Sequence, residues 1–113
     1  MRTVTLIVSS REETRGRLAR ALEGKSQGAI ISFETPTLLF KILTCKRWEL
    51  IRKMTGAGPM SIREAARRFK RDVKAVHGDV HALLNTGVLQ KTERGLIEFP
   101  YDAVRVDFTL KAA

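Results

Sequence analysis

The sequence predicts an α+β fold organised around a pair of helices, and three features carry that expectation. The stretch Ser61–Thr86, SIREAARRFKRDVKAVHGDVHALLNT, holds two helical apolar patterns with a tight break between them. A pair of short apolar runs around Thr92–Gly95 follows it. Alternating runs, Arg2–Ser9 and Ala103–Leu110, stand near the two ends of the chain.

Taken in order, Arg2–Ser9 (RTVTLIVS) sends Val4, Leu6 and Val8 one way and Thr3, Thr5, Ile7 and Ser9 the other, the pattern of a half-buried strand. Ser10, with Glu13 three residues on, opens a helix as a capping box. Leu18, Ala21 and Leu22 give that helix a thin apolar stripe, and Gly24 ends it. Gly28–Phe33 is a short strand. Thr35 caps a helix that has Pro36 at its first position. Leu38, Leu39, Ile42 and Leu43 make it strongly apolar, suited to the core or to a second copy of the chain. Thr44 caps the next helix, Cys45 to about Thr55, with Trp48, Leu50, Ile51 and Met54 on its buried side. Gly56–Pro59 breaks the chain.

Ser61 and Glu64 form a second capping box, and Ile62, Ala65, Ala66 and Phe69 follow at helical spacing. The helix should stop near Lys70 and Arg71. Asp72 caps another, whose Val73, Val76, Val80 and Leu83 form a buried stripe and whose C′ residue is Gly87. This is the sequence form of a helix-turn-helix, in which the second helix enters the DNA major groove. Val88–Lys91 and Leu96–Phe99, flanking Thr92–Gly95, read as a hairpin. Ala103–Leu110 alternates strictly and mirrors the first strand, so the two are expected to pair.

Charge points to a polyanionic partner. The 113 residues carry a formal +9 with a pI near 10.5. The excess is uneven: residues 1–44 hold 7 basic and 4 acidic side chains, residues 45–100 hold 12 and 6, and residues 101–113 hold 2 and 2. Arg63, Arg67, Arg68, Lys70, Arg71 and Lys74 crowd around the start of the second helix against only Glu64 and Asp72. A solvated helix face explains a charge run as such. Its position, where a helix-turn-helix needs phosphate and base contacts, favours nucleic acid. No apolar run approaches the roughly 20 residues of a membrane span, and residues 1–9 lack a signal-peptide core. The expectation is a cytoplasmic protein with no membrane partner.

Catalysis and cofactors are not expected. One cysteine allows neither an intrachain disulfide nor a multi-cysteine zinc site. His77 and His81 stand four apart, but HGDVH lacks the glutamate of HExxH, and packing or DNA contact is the reading preferred to a metal. Cys45 sits at a helix start beside Lys46, a setting that lowers a thiol pKa; a small buried residue is expected there.

Three helices followed by a hairpin is the winged helix-turn-helix order. Leu83–Gly95 (LLNTGVLQKTERG) resembles the helix-to-wing junction of MarR- and ArsR-like transcriptional regulators, where a leucine-rich helix end runs through Gly into the first wing strand. The runs KRWELIR (46–52), GPMSIREAARR (58–68), RDVKAVHGDV (71–80) and FPYD (99–102) are similar to a group of small prokaryotic winged-helix regulators, some of which resemble antitoxins. The resemblance covers residues 34–108. It departs at Lys70, where such turns often carry Gly, and at Gly78, where a long polar side chain is more usual.

These readings imply a winged helix-turn-helix over 34–100, an N-terminal strand–helix–strand extension over 1–33 and a C-terminal dimerisation strand over 101–113. The expected partner is double-stranded DNA, bound sequence-specifically by a homodimeric, autoregulatory repressor. The alternative is an antitoxin that neutralises a cognate toxin by direct contact. Arg63, Arg67, Arg68, Lys70, Arg71, Lys74, Ala75, Gly78 and, at the hairpin tip, Arg94 are the candidate DNA contacts. Lys74 is assigned to base edges and Arg71 to phosphate. Thr3–Val8, Thr37–Leu43 and Val104–Leu110 are assigned to the dimer.

Overall fold

Alternation at the two ends of the chain produces one sheet. β1 (Thr3–Val8) lies between β2 (Ala29–Phe33) and β5 (Ala103–Asp107) and is parallel to both. Its register sets Val4 beside Ala29 and Val104, and Leu6 beside Ile31 and Val106. The expected pairing of the end strands is therefore made. The computed structural model describes residues 2–13, 15–16 and 29–110. Residues 11–13 and 15–16 are helical, and Ser10 Oγ accepts the Glu13 N–H at 3.2 Å. The stripe of Leu18, Ala21 and Leu22, its stop at Gly24, and Gly28 lie outside the described residues.

Four helices connect β2 to a small hairpin. They are α1 (Pro36–Ile42), α2 (Cys45–Met54), α3 (Ile62–Phe69) and α4 (Val73–Asn85), followed by β3 (Gln90–Lys91) and β4 (Ile97–Glu98). Each helix starts on the side chain read from the sequence. Thr35 accepts the Leu38 N–H at 3.1 Å, Thr44 that of Arg47 at 3.4 Å, and Ser61 that of Glu64 at 3.0 Å. Such caps stabilise a helix by about 1 kcal/mol each. The Ser61 box is only half closed: Glu64 turns to Arg67 and Arg68 instead of reaching back to Ser61.

One apolar cluster joins helices and sheet. Leu50, Ile51 and Met54 of α2, Ala65, Ala66 and Phe69 of α3, and Val76, Val80 and Leu83 of α4 pack with Val4, Leu6, Phe33, Leu39 and Leu43. Met60, Val88, Leu89, Ile97 and Phe99 close it. Burying each large aliphatic or aromatic side chain contributes roughly 1.5–3 kcal/mol, so the cluster holds the two-helix unit and the sheet as one body. No helix among the described residues is long and apolar enough to cross a membrane.

Trp48 and Val73, expected on the buried sides of their helices, are not buried. Trp48 is 39% exposed, because its side of α2 faces a groove beside α1 and β5 and not the cluster. Val73 is 45% exposed; it is the first residue of α4, and the buried stripe begins one turn later at Val76. The hairpin strands are also shorter than the apolar runs predict. Val88 and Leu89 are drawn back onto α4, both N–H groups donating to the Leu83 carbonyl, at 2.9 and 3.1 Å.

Candidate functional site

The site is built by the junction of α3 and α4. At the end of α3 the Lys70 N–H donates to the Arg67 carbonyl at 3.3 Å and the Arg71 N–H to that of Ala66 at 3.0 Å. This is a Schellman stop, which needs a left-handed residue at C′. Lys70 fills that place with φ 53° and ψ 46°, the one described non-glycine residue with positive φ. The conformation costs a side-chain-bearing residue about 1–2 kcal/mol. Asp72 then caps α4 through Oδ2, accepting the N–H groups of Lys74 at 3.1 Å and Ala75 at 3.4 Å. At the far end of α4 the same stop recurs with glycine, Gly87 at φ 80°.

A three-residue ion cluster ties α4 to α2 and to the turn before it. Asp79, facing inward on α4, accepts from Arg47 Nε of α2 at 3.0 Å and from Arg71 Nη2 in the turn at 2.9 Å. Arg47 Nη1 also donates to the Ile42 carbonyl at 3.1 Å. The three side chains keep only 17–23% of their exposure, so water weakens these pairs far less than it would on the surface. Arg71 Nη1 is buried without a partner. Arg71, expected to meet phosphate, is thus taken up inside the fold. No local pattern in the chain hints at this, because Arg47 is thirty-two and Arg71 eight residues from Asp79.

The other candidate cations remain outside. Arg63, Arg67, Arg68, Lys70 and Lys74 are all exposed. Arg67 and Arg68 both pair with Glu64, Arg68 Nε at 2.8 Å from Oε1. Hydrogen bonds from Arg68 and then Arg67 hold the Glu64 carboxyl below its ordinary value. Opposite the buried Val76, Val80 and Leu83, α4 presents Lys74, Ala75 and Gly78, all exposed. A Cβ at Gly78 would meet nothing within 4 Å. Packing within the chain therefore gives no reason for glycine there. Low side chains on an outward helix face let its backbone approach another molecule closely.

A hairpin stands after α4. The Gly95 N–H donates to the Thr92 carbonyl at 3.0 Å, and the Thr92 N–H donates across to the Leu96 carbonyl at 2.8 Å. Gly95 takes φ 79°, as this turn requires. Arg94 is exposed at the tip. Met60, just before α3, exchanges two backbone hydrogen bonds with Ile97, at 2.9 and 2.8 Å, and ties the hairpin to the helix pair.

The rings of His77 and His81 lie against each other, tilted by 39° with centroids 4.1 Å apart, and among the described residues no group of three His, Cys, Asp or Glu side chains is placed to hold a metal. Cys45 is exposed rather than buried, because it begins α2 on the groove side.

The described residues define a small mixed α+β domain in which a basic helix pair and a hairpin are locked together at one end. The chain belongs to the HVO_A0114 family, whose model matches residues 42–106. That span takes in α2, α3, α4, the hairpin and most of β5, and excludes β1 and β2. No curated protein and no solved structure matches the chain.

Proposed function

We propose that this chain is a winged helix-turn-helix transcriptional regulator of the MarR- and ArsR-like kind, which binds double-stranded DNA sequence-specifically and represses transcription. In this reading α4 enters the major groove, whose width of about 12 Å admits a helix. The hairpin is the wing, and Met60 with Ile97 is its third strand. The observation that carries the reading is the outward face of α4. Lys74 stands in the first turn, where this docking mode meets base edges. Ala75 and Gly78 beside it allow close approach. Arg63, Arg67 and Arg68, exposed on α3, and Lys70 in the turn before α4 supply phosphate contacts, and Arg94 reaches the flanking backbone. Arg71 acts from within, holding the helix by Asp79.

The test is selection of bound duplexes from a random pool by the full chain, followed by titration at several salt concentrations. One enriched motif is expected. With about six phosphate contacts, affinity for it falls ~10³-fold between roughly 50 and 200 mM salt. A pool that enriches nothing, with binding indifferent to salt, refutes the proposal.

A further inference from the structure

β5 is an edge strand. β1 pairs one side of it, and no described residue pairs the other. An open edge offers a row of backbone donors and acceptors to another chain. Beside it lies an apolar groove of about 290 Å³ lined by Leu39, Phe40, Leu43, Trp48, Val106 and Phe108. Phe40 is 62% and Val106 45% exposed, and Phe40 meets Phe108 edge-on at 6.1 Å. The opposite face of the strand carries Arg105 and Asp107, 3.7 Å apart and themselves exposed.

The order of residues along this edge selects its occupant. Ala103–Thr109 (AVRVDFT) is complementary to itself when read antiparallel. Centred on Val106, Arg105 stands opposite Asp107 of a second copy, twice, and Val104 opposite Phe108. Centred on Arg105, two arginines face each other; centred on Asp107, two aspartates do. Like charges directly opposite destabilise a strand pair. A one-residue slip sets the apolar face of one copy beside the charged face of the other. Among registers that keep the pleat, only the one centred on Val106 pairs both arginines with both aspartates, and like any antiparallel pairing of identical strands in register with itself it is two-fold, as a homodimer interface requires.

We propose that the outer edge of β5 pairs antiparallel with β5 of a second copy about a two-fold axis at Val106. The two sheets join into one of six strands, and each apolar groove is closed by its counterpart. β1, expected from its sequence to share in a dimer, is paired on both edges within the chain and has no free edge for a second copy. The proposal does not rest on DNA binding, and its test contains no DNA.

Charge reversal tests it, because Arg105 and Asp107 are exposed enough to change without disturbing the core. Arg105→Asp sets acids against acids across the axis, and Asp107→Arg sets bases against bases. Each variant alone should dimerise about tenfold or more weakly than the parent chain. Mixed one to one, they set acids against bases and should form a heterodimer, read by light scattering on a sizing column with circular dichroism as the folding control. Independently, Val106→Cys in a Cys45→Ser background should form an intermolecular disulfide under mild oxidation, since residues paired at the axis lie within bridging range. A parent chain that is monomeric at about 100 μM overturns the proposal. So do single variants that dimerise like the parent, and folded variants that ignore each other when mixed. A parent monomer that instead binds a different protein through this edge also counts against it.

Discussion

Removing the Asp79 carboxylate is the most searching test of how α4 is held. Asp79→Ala leaves Arg47 Nε and Arg71 Nη2 without the acceptor each now reaches at 3.0 and 2.9 Å. It also leaves two like charges near each other, and Arg71 already has one unpartnered buried nitrogen. Breaking a fully buried pair from one side costs about 3–5 kcal/mol. Here the three side chains keep 17–23% exposure, which admits some water. Alanine also suits a helix better than aspartate by up to ~0.7 kcal/mol. From these opposing effects the net loss should be about 2 kcal/mol. Urea unfolding followed by circular dichroism reads it as a lower midpoint at unchanged slope. Asp79→Asn, which keeps one acceptor but no charge, should fall between. A loss under about 0.5 kcal/mol, the range of ordinary surface substitutions, would show that the cluster does not fix the helix.

Other consequences follow from single residues. Lys70→Gly should raise stability by about 1 kcal/mol in urea, because it relieves a side chain held at φ 53°; a loss would mean that the turn is not left-handed. Gly78→Ala should also stabilise by about 1 kcal/mol, since the new Cβ meets nothing within 4 Å, yet weaken DNA binding by lifting α4 from the groove. A variant both more stable and tighter-binding contradicts the placement of that face. The Glu64 carboxyl sits below its ordinary value because Arg68 and Arg67 bind the charged form. Its contribution is therefore fully present above the unfolded-state value and is lost as pH falls through the lower, folded-state value. Glu64→Gln should flatten the dependence of the urea midpoint on pH in that acid range, and an unchanged profile would show that the pairing does not stabilise the fold.

Local signals in the sequence located most of the elements. Thr35, Thr44, Ser61 and Asp72 cap helices through their own side chains. The spacing of Val76, Val80 and Leu83 named the buried side of α4, and the alternation around Val4 and Val104 anticipated a strand pair. Contacts between distant residues were not legible. Nothing near Arg71 in the chain announces Asp79 as its partner, and its charge alone made it resemble its exposed neighbours. Trp48 and Cys45 show the same limit. Helical spacing can tell which residues share a face, but which neighbour covers that face depends on where α1 and β5 come to lie.

The central claim is that α4 reads base edges while the hairpin holds the backbone. Lys74→Ala and Arg94→Ala, titrated against the selected duplex and a scrambled one at several salt concentrations, test it most directly. Lys74→Ala should cost ~1–3 kcal/mol on the selected duplex and relax the preference at one position of each half-site. Arg94→Ala should weaken both duplexes in nearly the same proportion and lower the salt slope by about one unit for each phosphate left unneutralised. If Lys74→Ala leaves the ratio of affinities unchanged while Arg94→Ala collapses it, the hairpin is the reading element and the assignment of α4 is wrong.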